Sequence, residues 1–154
     1  MKIFFLSILI LGSLLAVAQT TTENSKYNQA LADSLGADEY GMRMYQFVIL
    51  TTGPTVVEDK DVRSKLFEGH FANINKLSDE GKLIVAGPFG KNDDAMRGLF
   101  ILNVETPEEA MQLLMQDPTI EKGIFNVDIY PWYGSAALPM YMQYHSMIEM
   151  TEIK

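Results

Sequence analysis

The segment EGHFANINKLSDEGKLIVAGPFG, residues 68–90, carries one of the two histidines of the chain. Leu66, His70, Ile74 and Leu77 recur at spacings of four, four and three, so they share one face of a helix on which His70 stands in place of a leucine. An imidazole titrates near neutrality and can take or give a proton. On such a stripe it is either a hydrogen-bonded core residue or a general acid–base lining a pocket, and spacing alone favours the core residue. Gly69, costly inside a helix by about 1 kcal/mol against alanine, leaves space beside His70 for a ligand or a backbone to approach. Other chemistries find few residues. The chain has no cysteine, which removes thiol catalysis, disulfides, iron–sulfur clusters and cysteine-ligated zinc. Neither Ser64 nor Ser78 stands in a Gly-x-Ser-x-Gly turn or beside a recognisable base. The glycines of AGPFG lack the lysine and hydroxyl residue of a phosphate loop. Arg97 could hold an anionic group, although a strand-end arginine is more often simply solvated. His145 lies among Met140, Met142, Met147 and Met150. Thioethers with an imidazole suit copper(I), but no metal-ligand spacing is recognisable, and methionine is the commoner flexible packing residue of a terminal segment. No cofactor and no metal are expected.

The remainder of the chain bounds where such a site could work. The opening MKIFFLSILILGSLLAVAQTTTENS places Lys2 before an apolar run from Ile3 to Leu15, with Ala16-Val17-Ala18 ahead of Gln19. This is the layout of a secretory signal peptide, and the run is short for a bilayer span. Cleavage is expected near Ala18/Gln19, with periplasmic or secreted residence and no membrane association afterwards. The formal charge is −8, one unit more negative once Lys2 is removed. That balance argues against nucleic acid and anionic membranes, leaving a small-molecule ligand or substrate, or another protein, as partner.

Residues 19–26, QTTTENSK, are polar and unpatterned, a flexible leader. Tyr27, Leu31 and Leu35 followed by Gly36 predict a short helix with a glycine cap. A strand is predicted over Met44–Thr51, closed by Gly53-Pro54. Helix one then buries Val62, Leu66, His70, Ile74 and Leu77, widened by Phe67 and Phe71, and stops at Gly81. Strand two spans Leu83–Ala86, and strand three is GLFILNVE. Thr106-Pro107-Glu108-Glu109 opens helix two with a threonine cap, proline at the first helical position and glutamate three residues after the cap. Ala110, Leu113 and Leu114 form its buried stripe, Asp117-Pro118 ends it, and strand four spans Ile124–Tyr130. The order βαββαβ predicts an α+β, ferredoxin-like sandwich: one four-stranded antiparallel sheet with both helices on one face. The other face, carrying Phe100, Leu102, Phe125 and Val127 or their alternates, needs a cover, and a second copy of the chain is the simplest one, predicting a homodimer.

Two blocks resemble a known family. One comprises His70, Ile74, Leu77, Asp79-Glu80-Gly81-Lys82-Leu83 and Ala86-Gly87-Pro88; the other comprises Asp117-Pro118, Gly123-Ile124 and Pro131. In these residues and their ungapped spacing the chain resembles the YCII-related family over roughly residues 44–132. The resulting division is a signal peptide over 1–18, a leader with a short helix over 19–43, the YCII-related domain over 44–132 and a C-terminal extension over 133–154. The stretches LGADEYGM and PWYGSAAL resemble exported members with extra termini. The resemblance implies the same sandwich, of the dimeric α+β barrel type, and an active site made of His70 and Asp117. In such a pair the carboxylate fixes the imidazole tautomer and stabilises its charged form. Local sequence equally makes Asp117 a cap for PTIEKG, with Pro118 at the first helical position. Phe71, where an aliphatic residue is usual, and a short loop after Pro88 bear on pocket shape and hence on substrate. The function implied is a small metal-independent enzyme whose His-Asp pair performs proton abstraction, elimination or isomerisation on a small organic molecule. The alternative is a non-catalytic ligand-binding or dimeric interaction module of the same fold.

Overall fold

The computed structural model describes residues 24–151, so the predicted signal peptide lies outside the described residues. The first element, α1 (Gln29–Leu35), is the predicted short helix. Asn28 caps it by accepting from the Leu31 amide at 3.1 Å, and Gly36 closes it at φ 65°, in the left-handed region that glycine tolerates. β1 (Met42–Thr52) follows a turn held by Asp38, which accepts from the Tyr40 and Met42 amides and from the Tyr133 hydroxyl. α2 (Lys60–Asp79) starts at Asp59, whose carboxylate accepts from the amides of Asp61 and Val62. β2 (Leu83–Pro88) and β3 (Met96–Leu102) pair antiparallel. α3 (Pro107–Leu114) begins as predicted, with the Thr106 hydroxyl accepting from the Glu109 amide at 3.1 Å. A single turn, α4 (Pro118–Glu121), leads into β4 (Phe125–Ser135), and a 3-10 turn over Leu138–Tyr141 leads into α5 (Met142–Ile148).

The four strands lie in the order β2-β3-β1-β4 with every neighbouring pair antiparallel, the ferredoxin-like arrangement of an α+β sandwich. The core forms where α2, α3 and α4 cover one sheet face. Val48, Leu50, Leu83, Phe100 and Leu102 from the strands meet Leu77, Ala110, Leu114 and Ile120 from the helices. The alternative left open for the uncovered face is decided here, and one strand boundary is corrected. Phe100, Leu102, Phe125 and Val127 belong to this helix-covered face, so the alternates line the other one. And β4 continues past Tyr130 through Pro131 to Ser135, its eleven residues pairing with all of β1. Pro131 does not end the strand because β4 is an edge, where a proline costs no ladder hydrogen bond.

On the opposite face, side-chain alternation places Tyr45 and Phe47 beside their cross-strand partners Trp132 and Tyr130. The Trp132 ring lies 5.8 Å from Tyr45 and 6.3 Å from Phe47. A second buried cluster of Tyr45, Ile84 and Ile101 is covered in part by Leu138 and Met142. The chain's own C-terminal segment therefore supplies part of the cover that a second copy was expected to give.

Candidate functional site

His70 projects from the middle of α2, where its neighbours toward the C-terminal end, Asn73 and Leu77, are also buried. Val62, expected on the same stripe, is 48% exposed, so the buried face of the helix starts lower than the pattern suggested. One turn of helix fixes the second group. Asp117 sits at the cap of α4, where one carboxylate oxygen accepts from the Thr119 amide at 2.8 Å and from the Thr119 hydroxyl at 2.7 Å. The other oxygen bonds His70 Nδ1. The structure thus brings His70 and Asp117 together, and the cap role and the pairing role of Asp117 coexist. Thr119, whose hydroxyl also lies 3.3 Å from His70 Nδ1, completes the group. Sequence reasoning missed it, and the only available signal was its place two residues after a capping aspartate.

Gly69 explains how the two helices come this close. A β-carbon at that position would stand 2.5 Å from Pro118 Cγ, so the space beside His70 is filled by the proline next to Asp117 and not by a ligand. The missing side chain lets α4 dock on α2 at the residue preceding the histidine, which is what carries Asp117 to the imidazole.

The electrostatics follow from burial and donors. Burial pushes the Asp117 carboxyl up, but the hydrogen bonds from His70 and from the Thr119 hydroxyl, the charge of His70 and the Thr119 amide together outweigh it, holding the group below the usual carboxylate range. Asp117 is therefore an anion at neutral pH and accepts from Nδ1–H of His70, which leaves Nε2 as the nitrogen able to exchange a proton. The ring is held on its other sides by phenylalanines: Phe71 at 5.4 Å, Phe125 at 5.7 Å, Phe67 at 6.0 Å and Phe100 at 6.2 Å between centroids. These rings pack around the imidazole, leaving His70 8% exposed.

His70 lines a cavity of about 1050 Å³ between α2, the strands and the C-terminal segment. Its lining includes Arg97, exposed at the start of β3, as well as Arg63 and His145. His145 thus shares a cavity with His70, a placement its sequence surroundings did not signal. The methionines around it do not converge on it as ligands: Met147 is 76% and Met150 97% exposed, while Met142 packs on the second core cluster. Among the described residues no group of three or more histidine, cysteine or carboxylate side chains is placed to hold a metal ion.

Comparison with known proteins gives three findings. The sequence profile of the YCII-related domain matches residues 44–133, more than half of the chain. The uncharacterized protein YjpA of Bacillus subtilis (strain 168) is 27% identical over 89 residues, covering 58% of this chain and 95% of that protein. Among solved structures, 5-chloro-2-hydroxyhydroquinone dehydrochlorinase (TftG) from Burkholderia phenoliruptrix AC1100, in complex with 2,5-dihydroxybenzoquinone, is similar with a TM-score of 0.41 and 23% identity. It covers 56% of this chain and 92% of its own.

Proposed function

The chain belongs to the YCII-related domain family, and from that premise we propose that it is a small metal-independent enzyme in which His70 and Asp117 perform general acid–base chemistry on a small organic molecule. One observation carries the reading: a buried carboxylate holds Nδ1 of a histidine whose residue lines a large cavity walled by phenylalanines. Around His70 the lining is apolar, through Phe67, Phe71, Phe100 and Phe125, with Arg63 and Arg97 among its polar groups, a mixture of the kind small organic ligands occupy. With Nδ1 anchored, Nε2 removes a proton from carbon or returns one to a leaving group, as abstraction, elimination or isomerisation requires, and the Asp117 anion stabilises the imidazolium formed on the way. The proposal extends to an exported homodimer. Export rests on the apolar opening of the sequence. The dimer is supported by Tyr130, 55% exposed, and Trp132, 37% exposed, on the sheet face away from α2 and α3.

The test is to incubate the mature protein in deuterium oxide with a panel of small keto acids, phenols and halogenated carbonyl compounds and follow carbon-bound protons by NMR. A substrate loses a proton signal or yields an eliminated product, and His70→Ala slows this by about 100- to 10,000-fold, the worth of general acid–base catalysis. Turnover that survives in a folded His70→Ala protein removes the reading. The second reading, a non-catalytic binding module, draws on a separate observation: Asp117 joins α4 to α2 through Thr119 and His70, a fully structural use of both its oxygens. Ligand binding that persists unchanged without either dyad residue, with no turnover across the panel, favours it.

A further inference from the structure

The family match ends at residue 133, yet the chain beyond it returns to the site. Ala136 is buried and its amide donates to the Gly41 carbonyl at 2.9 Å, while the Tyr45 hydroxyl donates to the Ser135 carbonyl at 2.9 Å. Leu138 and Met142 then pack on Tyr45, Ile84 and Ile101, and the Tyr141 hydroxyl donates to the Ile84 carbonyl of β2. Burial pushes the Tyr141 phenol up, so it stays a donor. A helix of seven residues is too short to hold itself in water, and these anchors are what set α5 in place.

The side of α5 that faces the cavity follows its period. Tyr141, Met142, His145, Ser146 and Glu149 line the cavity, and they recur every turn along one face. Tyr144, Met147 and Ile148, on the other side, are 60%, 76% and 80% exposed. We propose that the segment from Leu138 to Glu149 is a built-in wall of the ligand cavity, and that His145 on this wall is a specificity-determining residue contacting the same bound molecule as His70. The ligand class is a small molecule with an apolar body against the phenylalanines around His70 and a polar or anionic group reaching the wall. The cavity, about 1050 Å³, lies just above the roughly 300–1,000 Å³ usual for small-molecule sites, which leaves room for such a two-part ligand. This inference rests on the reading of the cavity as the ligand site, but not on the chemistry assigned to His70.

The test uses the whole mature protein and 8-anilinonaphthalene-1-sulfonate, an apolar aromatic anion, as probe. With two histidines in the chain, each imidazole signal can be followed by NMR. Both signals are expected to shift with one common saturation curve. His145→Ala should weaken binding by about fivefold, the worth of one hydrogen bond, His145→Gln should retain most of the affinity, and Gln143→Ala, off the cavity face, should leave it unchanged. A His145 signal that stays still while His70 moves, equal affinity in His145→Ala, or no saturable shift at either histidine overturns the proposal. Loss of turnover in His70→Ala has no bearing on these outcomes, so the two readings fail separately.

Discussion

At Asp117 one carboxylate caps α4 through the Thr119 amide and hydroxyl and accepts from His70. Removing the charge while keeping the shape separates these duties. Asp117→Asn should cost about 1.5–3 kcal/mol at neutral pH, the range for a hydrogen bond to a charged group. The sign of the pH dependence follows from the lowered pKa. The carboxyl titrates below its ordinary 3.8 in the folded protein, so the stability it contributes is fully present above about pH 5 and is lost as pH falls through the folded value. Urea unfolding at pH 7, 5 and 3.5 should therefore show the wild type losing more stability on acidification than Asp117→Asn; parallel losses would count against the pairing. His70 was legible in the sequence because a polar residue interrupted an apolar stripe. Asp117 was found through family resemblance, since a capping aspartate before a proline looks alike whether or not a histidine waits across the fold. Thr119 was not legible, because its role depends on a one-turn helix docking against another element.

Among the elements, the contact between α2 and α4 decides whether the dyad exists, and Gly69 permits it. Gly69→Ala presents two opposed effects. Alanine improves helix propensity by about 1 kcal/mol, whereas a β-carbon 2.5 Å from Pro118 Cγ forces α4 away at a typical overpacking cost of about 1–3 kcal/mol. The clash should win or nearly cancel the gain, and the displaced Asp117 should leave a changed His70 imidazole signal in the NMR spectrum. An unchanged spectrum with higher stability would show that α4 is not seated as described. The start of α3 was the most legible helix boundary, since Thr106 caps it by local chemistry, whereas the caps Asp59 and Asn28 emerged only with the structure. The end of β4 was less legible. Pro131 reads as a stop when the strand is viewed alone, and only its position at the sheet edge makes it harmless.

For the whole molecule, the exposed aromatics of the sheet give the proposed dimer a direct readout. Trp132 is the lone tryptophan of the chain, so its emission should shift to longer wavelength on dilution as its partly exposed ring returns to water, in step with a halving of mass by sedimentation. Trp132→Glu should give a folded monomer at all concentrations; a concentration-independent spectrum and mass would sink the dimer. The βαββαβ architecture was legible because helix and strand periods alternate along the chain, but the return of the C-terminal segment was not. Its anchors are scattered over Tyr45, Ile84 and Ile101, contacts that no local period encodes. The same return has a consequence for assembly. The Ile84 carbonyl of edge strand β2 is taken by the Tyr141 phenol, and the opposite edge strand carries Pro131. Both rims of the sheet are thus guarded against strand addition, the usual route to runaway aggregation. The pairing proposed above would therefore run face to face, through the aromatic side of the sheet, and not rim to rim.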